Sequence, residues 1–357
     1  MPIIAQNNHP SIHRVAREGF EVISAQDAKH QDIRELHIGF LNMMPDAAFL
    51  ATERQFFRLT AASTNIVQIY IHPIRCEGVD HNTKITQHID EYYQHFDCLK
   101  KEGLDAVIVT GANPQFTDLT KESYWSHATD IFSWAEKNVC SVFYSCLASH
   151  AVLQAQYGLT RTPLAEKLWG VYSHRVVEHR HPLVANINTR FDMPHSRHND
   201  IESERLIEKS LKVLAMGEKS GVAIATSRDG FRQIFCQGHP EYDRVSILKE
   251  YKREIQRFLD KERDYPAFPY GYVTLGAKEL LTAFKKQLVN RQTTLADFPD
   301  EAVLDLIDNT WRDTAKAIFS NWLGLVYRVT HVDRTKAFMD GIDPDAPLAK
   351  WYNRDLP

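Results

Sequence analysis

The sequence has no long apolar run. Its longest, such as Ala106–Thr110 and Cys140–Tyr144, are strand-sized and fall far short of a membrane span. No positively charged segment followed by an apolar one opens the N-terminus, so no secretory signal is read there and the cytoplasm is the expected location. Excess charge is also small. Lys and Arg number 42 against 46 Asp and Glu, a net −4, which supplies no basic field for nucleic acid or an anionic membrane. Cysteine is scarce: Cys76, Cys98, Cys140, Cys146 and Cys236 are odd in number, scattered, and without a C-x-x-C pair. That pattern argues against a disulfide framework and against a zinc ribbon. Internal repeats and low-complexity segments are lacking too.

What is present is an ordinary globular balance, 43% hydrophobic and 25% charged over 357 residues. Residues 1–35 read as a polar, irregular N-terminal arm. Strand-like segments follow at Leu36–Met44, Ile66–Ile74, Leu104–Thr110 and Val139–Ser145, short and rich in β-branched or aromatic residues. Helical patterns lie between them at Phe49–Ala62, His88–Lys101 and Glu122–Asn138. This alternation predicts an α/β fold, an open and mostly parallel sheet covered by helices. Shorter antiparallel pieces are expected at Leu183–Asp192, Leu211–Gly217, Gly221–Ser227 and Phe231–Cys236, the last two joined by an Arg228-Asp229-Gly230 turn. A helix over Val245–Arg263, a loop over 264–276, a helical stretch over 277–331 and an irregular end, Phe338–Pro357, complete the reading. The expected division is an arm (1–35), an α/β catalytic domain (36–263) and a C-terminal helical extension (264–357) packed on the same domain.

Two segments carry chemistry. In Val142-Phe-Tyr-Ser-Cys146-Leu-Ala-Ser-His150 an apolar strand runs straight into a helical pattern, with a cysteine at the junction. A tight strand-to-helix turn exposes a nucleophile above the sheet, and the helix N-terminus favours the thiolate. The Leu147 N–H would then point toward a developing oxyanion. The competing reading is a small buried core cysteine. The second segment, Phe231 to Tyr242, ends a strand in Gly238-His239-Pro240-Glu241. His239 offers a base and Glu241 its orienting partner, provided their loop lies beside Cys146.

The ordered pair resembles the class I glutamine amidotransferase fold. Within it, the wording is similar to the homoserine O-acyltransferases of methionine biosynthesis, which use succinyl or acetyl donors. The matching pieces are Val109-Thr-Gly-Ala112, Tyr124-Trp125, Cys146, Glu166-Lys-Leu-Trp-Gly-Val-Tyr172, Pro194-His-Ser-Arg197, Gly238-His-Pro-Glu-Tyr-Asp243, Glu250-Tyr-Lys-Arg253 and Phe319-Ser-Asn-Trp-Leu323. The resemblance implies a ping-pong reaction in which Cys146 takes an acyl group from succinyl-CoA or acetyl-CoA and His239, oriented by Glu241, activates the homoserine hydroxyl. Transfer between thioesters is nearly isoenergetic and passage to an oxygen ester is downhill, so no bound cofactor and no metal are expected. Lys167, Ser196 and Arg253 match substrate-binding positions; the planar fork of Arg253 suits an amino-acid carboxylate. A homodimer is the expected assembly.

Three departures stand out. Met44-Pro45-Asp46 replaces a family Met-Pro-Lys-Lys, so Asp46 should weaken anion attraction in that loop. Gln115 stands at the acyl-specificity position, where the family carries Gly for succinyl and Glu for acetyl. Residues 265–318 exceed the usual family length. Rival readings are L-serine as acceptor, a glutaminase or amidohydrolase, and a non-catalytic binding homologue. The amidohydrolase elbow, G-x-C-x-G, would need glycines where Tyr144 and Ala148 stand. His174, His179, His181, His195 and His198 suggest a metal site, but no acidic or thiol partner is fixed by spacing.

Overall fold

The computed structural model describes residues 2–31, 33–63 and 67–352. The chain opens with β1 (Ile3–Ala5), α1 (Pro10–Arg17), β2 (Val22–Ser24) and α2 (Ala25–Lys29). Strands and helices then alternate through β3 (Glu35–Met43), α3 (Asp46–Ala62), β4 (Gln68–Ile74), α4 (Thr83–Tyr92), α5 (Phe96–Glu102), β5 (Ala106–Ala112), α6 (Trp125–Asn138), β6 (Ser141–Ser145) and α7 (Leu147–Tyr157). A strand-rich part follows with β7 (Thr162–Val176), β8 (Arg190–Asp200), α8 (Ser203–Glu208), β9 (Lys212–Gly217), β10 (Gly221–Thr226) and β11 (Gln233–Cys236). The rest is helical: α9 (Ser246–Leu259), α10 (Leu275–Val289), α11 (Asp300–Asp305), α12 (Arg312–Val329) and α13 (Ala349–Tyr352).

All eleven strands form one open sheet in the order β2-β1-β4-β3-β5-β6-β11-β10-β9-β7-β8. The pairings from β2 through β11 are parallel and those from β11 to β8 antiparallel, so the predicted mostly parallel α/β sheet is present with an antiparallel flank. Alternation along the central strands explains why both faces are covered. Leu36, Ile38, Phe40, Ile108 and Phe143 face one core, under Phe56 and Phe57 of α3 and Phe319, Trp322 and Leu323 of α12. Leu41, Val107, Val109, Val142 and Tyr144 face the other, under Phe132 of α6 and Val152 of α7. A third cluster joins α9, α10 and α11 to Trp169 and Val171 of β7.

Four expectations need correction. The supposed irregular arm supplies β1 and β2, which extend the parallel sheet with Ile3 opposite Ile69 and Ile3 and Ile4 fully buried. Three-residue strands are too short to show periodicity. The helix expected over His88–Lys101 is two, because Gln94 leaves the helix to pair with the end of β4, donating to Pro73 and accepting from Arg75. The strand expected at Leu183–Asp192 lies instead at β8, and β7 went unread. Both alternate apolar residues with His, Ser, Lys and Arg, so neither forms an apolar run. Finally, β11 is antiparallel to β10 but parallel to β6, which sets the ends of β6 and β11 side by side.

The expected loop over 264–276 is anchored: Tyr270 N–H donates to Trp169 and Val171 N–H donates to Tyr270. Gly170 permits that approach, since a Cβ there would collide with the Tyr270 backbone. In the C-terminal stretch expected to be irregular, α13 is a single helical turn, and residues 353–357 lie outside the described residues.

Candidate active site

The site sits where β6 and β11 end. β6 stops at Ser145 and α7 begins at Leu147, leaving one residue to turn the chain. Cys146 makes that turn with φ 50° and ψ −115°, a left-handed conformation that L side chains avoid. Such strain costs about 1–3 kcal/mol and persists only where the surroundings enforce it. Here Cys146 N–H donates to the Cys236 carbonyl at 2.7 Å, its own carbonyl accepts from Ser149 N–H, and the Ser149 hydroxyl donates to Tyr144 at 2.8 Å. The sulfur is partly exposed, whereas Cys140 and Cys236 are buried and burial pushes both thiols up. The core-filler reading therefore fits Cys140 and Cys236, not Cys146. Gly111 closes the space beside it: a Cβ there would lie 3.6 Å from both Cys146 Cβ and Leu147 N.

From the end of β11 the chain passes into Gly238-His239. His239 N–H donates to the Pro194 carbonyl at 2.8 Å, and His239 Nδ1 meets Glu241 Oε1 at 2.8 Å. The His239 ring stacks on Tyr242 with centroids 4.2 Å apart. His239 and Glu241 are buried. Burial alone would push the imidazole down; the charge of and hydrogen bond to Cys146, with those of Glu241, hold it well above its ordinary value. Cys146, His239 and Glu241 are thus brought together, with His239 hydrogen-bonded to both others. His150, one turn along α7 from Cys146, bonds Gln237 Oε1 at 2.8 Å and ties the helix to this loop. Burial lowers its pKa to about 3, against the Gln237 bond, so it stays neutral at pH 7.

A second hub, unread in the sequence, is Glu250 on α9. It accepts from Ser196 Oγ at 2.6 Å, Tyr242 Oη at 2.8 Å and Lys167 Nζ at 3.2 Å. Burial would raise its pKa, but Lys167, Ser196 and Tyr242 together hold the carboxyl below its usual range. Lys167 and Ser196, matched separately in the sequence, are thereby gathered on one carboxylate, and Tyr242 links them to His239. Arg253 lies one turn further on α9, exposed and without an ion-pair partner among the described residues. Asp243 is held by Arg54 and Arg58 of α3, which fixes the far end of the His239 loop. Because Glu250 only accepts, Glu250→Gln turns one acceptor into a donor facing other donors. We expect a loss of about 1–3 kcal/mol of stability, read as a lowered urea midpoint at unchanged m-value.

In front of Cys146 opens a cleft of about 310 Å³ whose walls include Leu147, Gln115, Arg161, Ser196 and Asn199. Gln115 is exposed on the loop after β5. Asp46 is not on its wall; it bonds His81 Nδ1 at 2.7 Å and Asn82 N–H at 2.9 Å, and the His81 bond leads in holding its carboxyl low. The five histidines considered for a metal do not converge: His174 meets His195 and Ser220, while His181 bonds the Gly230 carbonyl. A different group, His9, Glu53 and His88, sets its ligand atoms within 4.8 Å of one another among the described residues. There Glu53 already accepts from Tyr93 and Ser11 and contacts His88 at 2.9 Å. Sequence spacing could not show it, since 35 and 44 residues separate its members.

Comparison with known proteins adds the following. A family model for homoserine O-succinyltransferase matches residues 2–332. The homoserine O-succinyltransferase of Methylococcus capsulatus is 52% identical over 352 residues, covering 98% of this chain and 99% of its own. That of Methylobacter tundripaludum is 49% identical over 352 residues, with the same coverage. A solved glutamine amidotransferase from Thermotoga maritima has 11% identity and a TM-score of 0.42, over 82% of this chain and 98% of that one.

Proposed function

Since the chain belongs to the homoserine O-succinyltransferase family, we propose that it moves a succinyl group from succinyl-CoA through Cys146 to the hydroxyl of L-homoserine. His239 is held protonated beside Cys146, whose reacting form is the thiolate. The thiolate attacks the thioester carbonyl, the carbon–sulfur bond to CoA breaks, and the departing CoA thiolate takes the His239 proton. The Leu147 N–H faces the oxyanion formed on the way. Homoserine then enters; neutral His239 accepts its hydroxyl proton as the oxygen attacks the acyl-cysteine, and the Cys146 thiolate leaves. Glu241 holds the imidazole in register and balances its charge in both halves.

The observation that carries this reading is Cys146 on the cleft wall, backed by His239, which is hydrogen-bonded to Cys146 and Glu241 and held above its ordinary value by them. Lys167 and Ser196, gathered on Glu250, border the acceptor side, and Arg253 offers its fork to the homoserine carboxylate. The test is initial-rate kinetics of CoA release with both substrates varied. Parallel double-reciprocal lines with succinyl-CoA and L-homoserine are expected, with acetyl-CoA and L-serine each poorer by at least about tenfold. Intersecting lines would remove the acyl-enzyme, and glutamine hydrolysis independent of CoA would replace the reading altogether.

A further inference from the structure

The wall of the Cys146 cleft carries two guanidinium groups, Arg161 and Arg197, and no carboxylate. Arg197 is neutralised: Nη2 pairs with Asp200 Oδ1 at 3.1 Å, and the group also contacts His195 and Ser220. Arg161 is not. It is only 9% exposed, yet its bonds go to backbone carbonyls alone, Nε to Thr117 at 3.1 Å and Nη2 to Phe116 at 2.7 Å. It forms no ion pair among the described residues. Glu122, whose charge raises the Arg161 pKa, makes no direct bond to it and accepts instead from the Phe116 N–H at 2.7 Å. A buried cation without a counter-ion is costly unless something supplies one. The two carbonyls fix the fork and leave Nη1 free.

We propose that Arg161 binds the terminal carboxylate of the acyl group carried on Cys146, and so selects a dicarboxylic acyl donor. The proposal rests on the reading that Cys146 is acylated, and it adds the group that recognises the far end of the acyl chain. Three features bring Arg161 to this role. It shares one small cleft with the sulfur. Cys146 is among the groups whose charge raises the Arg161 pKa, so the two lie close enough to interact. Its neighbour in the wall, Gln115, brings bulk and an amide but no charge that could neutralise it. A succinyl chain places its carboxylate two methylenes beyond the thioester carbonyl, so an anchored carboxylate also fixes where that carbonyl lies relative to Leu147 N–H. An acyl group without the carboxylate leaves the guanidinium unpaired in the acyl-enzyme, which disfavours that donor without any steric barrier.

The test compares succinyl-CoA with butyryl-CoA, which has a similar chain but a methyl end, on the full-length protein and on Arg161→Gln and Arg161→Lys. For Arg161→Gln, kcat/KM with succinyl-CoA should fall about 100-fold while butyryl-CoA stays within about threefold or improves. Arg161→Lys, which keeps a cation able to reach the Phe116 and Thr117 carbonyls, should lose about tenfold with succinyl-CoA only. It carries the comparison if the glutamine variant does not fold. Equal losses with both donors in Arg161→Lys, or unchanged donor preference in both variants, would overturn the proposal. So would a wild-type protein that does not distinguish the donors. A wild-type protein that transfers no acyl group from any CoA donor would instead sink the underlying reading of Cys146.

Discussion

Cys146→Gly should yield a folded protein that transfers succinyl at least about 10⁴-fold more slowly than the natural chain. In the proposed reaction sulfur is the atom that becomes acylated, so without it only binding and the oxyanion donor remain. The glycine variant is also informative about strain. Cys146 holds φ 50°, which glycine adopts freely and alanine does not. Both substitutions remove the thiol, but only glycine relieves the backbone. Cys146→Gly should therefore be more stable than Cys146→Ala by about 1 kcal/mol, read from urea midpoints. Equal midpoints would mean that the turn stores no strain.

The second large effect is acid destabilisation well above the carboxylate range. Burial is the leading cause that lowers His37 and His150 to about 3 and His9, His72, His174 and His181 to about 4. Unfolded, each takes up a proton near pH 6.5; folded, each refuses it until pH 3–4. The unfolded state thus binds more protons throughout that window, and stability falls as pH drops from 6.5 toward 4. One imidazole moved that far costs about 3–5 kcal/mol of stability once pH is below both values. Asp105 opposes them. Burial raises its carboxyl to about 6, so the folded state keeps a proton that the unfolded state gives up, and stability from this group is lost as pH rises through that value. His239, held above its ordinary value, opposes them in the same sense, and these two groups do not offset six. The urea midpoint should fall steadily between pH 7 and 5, and a flat profile across that range would contradict the assignment.

How legible was this in the residues? The central strands were, because Leu36–Met43, Val107–Val109 and Val142–Tyr144 are apolar on both sides and can only be buried on both faces. The elbow at Cys146 and the pair His239–Glu241 were legible because each lies within one short segment where a strand ends. What pairing adds was not: periodicity marks β11 as a strand but says nothing of its lying parallel to β6, and that neighbour relation is what sets His239 beside Cys146. Strands that carry polar residues on one side, β7 and β8, hid themselves, since Lys167, His195 and Ser196 break the apolar alternation. Arg161 left no local signal, and Glu250 entered only as the first residue of the matched Glu250-Tyr-Lys-Arg253 segment, with no role assigned. Glu250 acts on residues 83 and 54 positions away, and Arg161 differs from other arginines without an ion pair, such as Arg253, in being buried on the wall of the Cys146 cleft.

The most direct test of the account is the intact mass of the protein after incubation with succinyl-CoA alone, followed by peptide mapping. The account predicts one added succinyl group, located on the peptide containing Cys146, discharged when L-homoserine is added and absent from Cys146→Gly. An adduct on another residue, or succinyl transfer by Cys146→Gly at the rate of the natural chain, would contradict it.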